Sequence, residues 1–209
     1  MTLAGAHDAG SIPGPLPDAL VAQFHELMAR AIAAGEPEPT AMSLATVAGD
    51  GRPSVRIVLL KHLDRDGLVF YTNTLSRKGR QLAGQAWAGT AMHWKHLDLQ
   101  VQVRSEGRVE PVSDQEADAY FQSRPRGSQI GAWASLQSEP LADPAQFQQR
   151  IAQAEDRFGD GPVPRPPHWS GYRLRPDRIE FWFGRPYRLH ERILHTWQDD
   201  NWRQSRLYP

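Results

Sequence analysis

The segment Arg188-Leu189-His190-Glu191-Arg192, which follows Glu180-Phe181-Trp182 closely, carries the side chains of this chain best suited to chemistry. In an extended backbone successive side chains alternate faces, so the spacing predicts that Arg188, His190 and Arg192 project together. Two guanidinium groups and an imidazole on one face repel, and an anion between them relieves that repulsion. A solvated edge strand could carry the same residues, so the rest of the chain has to decide.

Other basic and hydroxyl residues stand at the ends or middles of apolar segments: Arg56 and Lys61, Arg77 and Lys78 behind Ser76, and Arg124 and Ser128 in Ser123-Arg124-Pro125-Arg126-Gly127-Ser128. Arginine offers a bidentate fork, lysine a point charge and serine a neutral donor, the set that holds phosphate monoesters. Together they point to more than one phosphate. Glycine-rich nucleotide loops, zinc-protease helices and nucleophile elbows have no motif here. His93 and His96 are the nearest approach to metal-ligand spacing, and a site would need further ligands.

Lysine plus arginine equal aspartate plus glutamate at 24 each in 209 residues, so no global field draws the chain to nucleic acid or anionic lipid. The absence of cysteine excludes disulfide scaffolds and thiol catalysis, and with no secretory signal or spanning apolar run the expectation is a soluble, cytoplasmic protein.

The positioning elements can be read from periodicity and caps. Residues 1–17 read as a mobile tail and residues 18–209 as one domain. Leu20, Phe24, Leu27 and Met28 recur at helical spacing behind Asp18, the expected N-cap. Strands are expected over 41–47, 54–61 and 68–72, two more between Thr90 and Val109, and others over 170–174, 179–183, 192–196 and 202–207. Ser76 can cap a short helix that places Arg77 and Lys78 beside free N–H groups. Ser113-Asp114-Gln115-Glu116 forms a capping box for a helix stopped by Pro125, and Asp143-Pro144 opens another. Short strands joined by turns, with few helices between, predict an α+β chain built on an antiparallel barrel.

The runs Arg56 to Lys61, Phe70 to Asn73, Ser76-Arg77-Lys78, Tyr120 to Trp133, Gln137-Ser138, Glu180-Phe181-Trp182 and Arg188 to Arg192 closely resemble the pyridoxamine/pyridoxine 5′-phosphate oxidases, in one order over nearly the whole chain. The resemblance implies an FMN-binding, antiparallel Greek-key split barrel that works as a homodimer with flavin sites at the interface. It implies FMN held by Arg56, Ile57, Val58, Leu59, Leu60, Lys61, Tyr71, Thr72, Arg77, Lys78, Gln100, Gln137, Ser138, Trp182 and Arg192. Substrate would meet Lys61, Tyr120, Arg124 and Ser128 through its phosphate, and Arg188, Leu189 and His190 over its ring. Arg188 and His190 are the implied catalytic pair, with no metal. The implied reaction oxidises pyridoxine or pyridoxamine 5′-phosphate to pyridoxal 5′-phosphate, with O2 as acceptor and hydrogen peroxide, plus ammonia from the amine, as products.

The chain departs from the family pattern at Glu38, where Asp is frequent, at Leu99, where a basic residue is common, at Phe183, where Gln is usual, and in a tail without an Arg-Arg-x-Tyr segment. Two other readings stay open, a related oxidase on another ring of the phenazine type and a flavin-binding protein without turnover.

Overall fold

The computed structural model describes residues 12–98 and 100–209. Helix α1 (Asp18–Ala33) leads into strands β1 (Ala41–Val47), β2 (Pro53–Leu59), β3 (His62–Asp64) and β4 (Gly67–Asn73). Helix α2 (Arg77–Gly84) precedes β5 (Trp87–Trp94) and β6 (Val101–Pro111). Helices α3 (Asp114–Ser123), α4 (Arg126–Ala134) and α5 (Pro144–Phe158) follow, then β7 (Trp169–Phe183), a 3₁₀ turn Pro186–Arg188, β8 (Glu191–Gln198) and β9 (Asn201–Leu207).

All strand pairs are antiparallel, in the order β2-β1-β5-β6-β7-β4-β3, with β8 on β7 and β9 on β8. The curled sheet is the barrel that the strand pattern predicts. Strands expected separately over 170–174 and 179–183 are one long strand, β7. One edge of β7 pairs with β6 along most of its length; the other is shared by β4, over Trp169–Leu174, and β8, over Arg178–Phe183. The ladder shifts register between Glu106 and Gly107, a bulge that bends the sheet. A Cβ at Gly107 would lie 2.1 Å from the Arg175 carbonyl oxygen, so only glycine permits this approach.

Helix α1 buries Leu20, Phe24, Leu27 and Ala31 on the sheet, with the Phe24 ring edge-on to Trp94 at 5.7 Å. Its N-cap is Pro17 rather than Asp18, which sits in the first turn and makes no capping bond. Ser76, Ser113 and Asp143 cap as their spacing predicts, accepting from the N–H groups of Gly79, Glu116 and Ala145. The core reaches further toward the N-terminus than the sequence reading placed it. Leu16 is buried and its N–H donates to the Arg65 carbonyl, while Trp202 Nε1 donates to the Pro15 carbonyl. The remainder of the expected tail, residues 1–11, lies outside the described residues, as does Leu99. A second, smaller core of Phe121, Ile130, Ala154, Val163 and Trp169 binds α3, α4 and α5 to the start of β7. No helix among the described residues is long and apolar enough to cross a membrane.

Gly107→Ala should destabilise the fold by more than about 2 kcal/mol, because the added methyl collides with backbone rather than with a side chain that can move. Urea unfolding of the variant against the parent checks this.

Candidate active site

A cavity of about 550 Å³ opens where the ends of β2 and β4, the first turn of α2 and the α3–α4 corner meet. Lys61, Tyr120, Arg124 and Ser128, which the resemblance assigns to a substrate phosphate, all line it. The α3–α4 corner explains the convergence. Pro125 stops α3 and caps α4, so Arg124 is left in extended backbone between two helices, with Tyr120 one turn before it and Ser128 one turn after. Helix α4 was not foreseen, since Gly127 and Gly131 dilute its helical pattern.

The second group in the cavity comes from the expected cofactor set: Ile57, Val58, Leu59, Tyr71, Thr72, Lys78 and Gln137. Lys78 Nζ donates to Gln137 Oε1 at 2.6 Å and to Thr72 Oγ1 at 3.0 Å, and Thr72 Oγ1 donates to Gln137 Oε1 at 3.2 Å. No carboxylate neutralises this ammonium among the described residues. Burial, and then the charge of Arg56, push the Lys78 ammonium down to about 8 from its ordinary 10.5. The helix carrying it presses on Thr74, where a Cβ at Gly79 would meet the carbonyl oxygen at 2.2 Å. Burial, with Glu116 and Tyr120 nearby, pushes the Tyr71 phenol up to about 12, so it stays a donor across the neutral range. A cation held down by desolvation beside hydroxyl and amide donors fits the phosphate of a flavin mononucleotide.

Other expected cofactor residues lie off the cavity lining. Leu60 is buried in the main core. Arg77 is exposed at the start of α2, close enough to Arg56 for their charges to interact. Ser138 follows Gln137 with φ at +75°, in the left-handed region. Arg56 turns into a polar network beneath the site. Its Nη1 donates to the Leu44 carbonyl and Thr46 Oγ1, and its Nη2 to Ser54 Oγ and Gln81 Oε1. Gln81 Oε1 also accepts from Thr46 and Ser54, so this α2 amide anchors the guanidinium from a part of the chain where no motif announced it.

The remaining candidates form a separate cluster at the far end of β7. Trp182 pairs with Gln102 on one side and Arg192 on the other, its ring lies 4.5 Å from that of His190, and Gln100 accepts from the Gly184 N–H. The strand path from Trp169 to Trp182 is on the order of 40 Å, and no member of this cluster lines the cavity.

The expectation that Arg188, His190 and Arg192 share one strand face is overturned. Tyr187 and Arg188 both have positive φ, at 57° and 62°, in a 3₁₀ turn, and β8 begins only at Glu191. Pro186 starts that turn, which breaks the alternation before it can begin. Arg192 faces a carboxylate: its Nε and Nη2 donate to Glu180 at 2.7 and 3.1 Å, and its Nη1 to the Tyr208 carbonyl at 3.0 Å. Arg104 Nη2 also donates to Glu180, which is 2% exposed. Burial pushes the Glu180 carboxyl up, but the bonds from Arg192 and Arg104 outweigh it and leave the group below its ordinary value. The Arg185 N–H donates to His190 Nδ1 at 3.2 Å, which leaves the neutral ring with its proton on Nε2. Leu189 is exposed beside it.

Sequence reasoning missed Asn73, Ser123, Pro125 and Trp169, all of which line the cavity. Asn73 and Trp169 are paired in the β4–β7 ladder, a signal visible only once the strands are registered. Of the departures, Glu38 accepts from Thr40 Oγ1 at 2.8 Å on the surface, and Phe183 packs against the main core.

The curled antiparallel sheet and the paired cationic donors define a split-barrel flavoprotein. Residues 28–158 match the pyridoxamine 5′-phosphate oxidase family, and residues 169–209 match the pyridoxine 5′-phosphate oxidase C-terminal dimerisation region. A pyridoxine/pyridoxamine 5′-phosphate oxidase of Myxococcus xanthus (strain DK1622) is 53% identical over 194 residues, 93% of either chain, and one of Rubrobacter xylanophilus is 48% identical over 208 residues, all of this chain and 93% of that one. The crystal structure of PhzG from Burkholderia lata 383, in complex with tetrahydrophenazine-1-carboxylic acid, superposes with a TM-score of 0.85 at 29% identity, covering 100% of this chain and 98% of the other. The chain belongs to the pyridoxamine 5′-phosphate oxidase family. FMN is the cofactor that this family and this donor set support.

Two pH responses follow. FMN affinity should be flat from neutral pH to about 8 and fall as pH rises through the Lys78 value, since a phosphate favours the charged ammonium; riboflavin, without the phosphate, should show no such fall. Fluorescence titrations between neutral and alkaline pH, with Lys78→Met as control, check this. Glu180, with its folded value depressed, stabilises the fold fully above the unfolded carboxyl value and loses that contribution as pH falls through the folded one. Glu180→Gln should therefore flatten the acid limb of a stability-against-pH curve measured by denaturant unfolding.

Proposed function

We propose that this protein is an FMN-dependent oxidase that converts pyridoxine 5′-phosphate and pyridoxamine 5′-phosphate to pyridoxal 5′-phosphate, with O2 as electron acceptor. The observation that supports this most directly is the cavity itself. Lys61, Tyr120, Arg124 and Ser128 line it together with Thr72, Lys78 and Gln137, giving two anion grips in one space, one for each of two phosphates.

The protein acts as a homodimer in this reading. The cavity of one protomer is completed by the cluster around Trp182 from the other, because the cluster lies at the far end of β7 and within the matched dimerisation region. Gln100, Trp182 and Arg192 then close on the flavin, and Arg188, Leu189 and His190 on the substrate ring. Bound FMN supplies the chemistry of accepting a hydride and delivering two electrons to O2, so that peroxide forms. The protein residues supply geometry and charge. The phosphate grip fixes the ring in the cavity, which makes the transfer effectively intramolecular. Arg188 stays protonated and acts by charge and position. As the hydride leaves the reacting carbon, the proton on its oxygen or nitrogen must leave as well, and in this reading His190 takes part in passing that proton to water. The alcohol gives the aldehyde directly, and the amine gives an imine that water hydrolyses with release of ammonia.

A phenazine-type oxidase is the second reading, favoured by the likeness to PhzG. A substrate without phosphate would leave the Lys61 and Arg124 charges uncompensated. Anaerobic addition of pyridoxine 5′-phosphate or pyridoxamine 5′-phosphate to the FMN-loaded protein should bleach the flavin, and air should restore it. A flavin that stays oxidised with both would overturn the proposal. Arg188→Ala should keep FMN and lose at least about a hundredfold in turnover; a variant that purifies without flavin and recovers on adding FMN would overturn the role given to Arg188.

A further inference from the structure

Several arginines withdrawn from water in this protein are matched with carboxylates. Arg165 meets Asp114 and Asp118, Arg173 meets Asp64 and Glu116, and Arg192 meets Glu180. Among the described residues Arg56 has no carboxylate but is held by hydrogen bonds to Leu44, Thr46, Ser54 and Gln81. Arg124 has neither kind of partner: among the described residues it forms no ion pair, its side chain makes no hydrogen bond, and its Nη1 is buried without a partner. What it meets is aromatic. Its guanidinium carbon lies 4.8 Å from the centroid of the Trp169 ring and 5.5 Å from that of Phe121.

Trp169 is built to stay where it is. It is 6% exposed and stands nearly parallel to Tyr71, with centroids 5.3 Å apart and planes at 9°, while Phe121 meets it edge-on at 5.1 Å. Its carbonyl accepts from Arg165 Nη1 at 2.9 Å, and Arg165 is in turn held by the two aspartates of α3, the helix that ends at Arg124. One arginine thus ties the main chain at Trp169 to α3. Trp169 lines both the main cavity and an adjoining space of about 250 Å³, and Arg124 lies between the two.

We propose that Trp169 is a positioning residue whose indole face holds the Arg124 guanidinium in place without neutralising it, so that its full charge meets the phosphate of a phosphate monoester. A carboxylate in the same place would hold the arginine equally well and cancel its field at the phosphate. The negative face of an aromatic ring attracts the cation and leaves the charge of the guanidinium itself at plus one. The inference rests on the phosphate-binding reading of the cavity and adds the residue that makes it work.

The test uses the FMN-loaded protein with Trp169→Leu and Trp169→Phe, which both shrink the side chain but differ in retaining a π face. Calorimetric affinity for pyridoxal 5′-phosphate should fall about tenfold or more in the leucine variant and no more than about threefold in the phenylalanine variant. FMN affinity and the response to unphosphorylated pyridoxal should be alike in the two, while thermal stability falls further in the leucine variant, which leaves the larger cavity. Trp169→Met replaces the leucine variant if that one does not fold. Equal weakening by the aromatic and aliphatic replacements would reduce Trp169 to a packing residue and overturn the proposal, as would weakening by neither. A parent protein that does not bind pyridoxal 5′-phosphate overturns the proposal together with the function. A parent that binds it but oxidises neither phosphate ester overturns the oxidase reading alone.

Discussion

The pairing of β7 is the constraint on which the rest of this structure depends. A fifteen-residue strand hydrogen-bonded to β6 on one edge and to β4 and then β8 on the other is a rigid spacer. Its first residue, Trp169, belongs to the cavity, and Glu180 and Trp182 near its last belong to the arginine and histidine cluster. Each end is registered by its neighbour to the fraction of an ångström that ladder hydrogen bonds allow. The bulge at Gly107 bends the path without loosening it.

Charge is handled differently at the two ends. At the Trp182 end, a buried carboxylate takes two guanidinium groups and fixes both, and the desolvation of three charges is offset by the bonds among them. At the cavity end the cations Lys78 and Arg124 are left without carboxylates, held by hydroxyl, amide and aromatic surfaces. A neutral chain overall can thus maintain a strongly positive cavity, because its acidic residues are spent elsewhere, on Arg165, Arg173 and Arg175.

Much of this was legible in the residues. Ser76, Ser113 and Asp143 announced their helices because a cap is a local bond, and alternation announced β1 and β6 because one face of each is buried, whereas β4, buried on both faces, was announced by its run of apolar and aromatic residues between turns. The residues proposed to grip a phosphate were legible in two ways: Lys61, Arg124 and Ser128 stood out as basic and hydroxyl residues at the ends or middles of apolar segments, and Tyr120 came from the resemblance to the family. What escaped was set by distant partners. Arg56 is turned inward by Gln81, twenty-five residues on, and Trp169 reads as ordinary core until Asn73 and Arg124 are placed beside it. The turn at 186–188 was misread because Arg, His and Arg at every second position imitate a strand, and neither Tyr187 nor Arg188 has the residue type that advertises a left-handed backbone.

That turn has a consequence for how the protein tolerates change. Two successive non-glycine residues in the left-handed region hold strain of about 1–2 kcal/mol each. Glycine would relieve it at either position, so a screen that rewards heat resistance alone would choose glycine there. The chain it selected would be sturdier, and the loop that aims Arg188 would point in many directions rather than one.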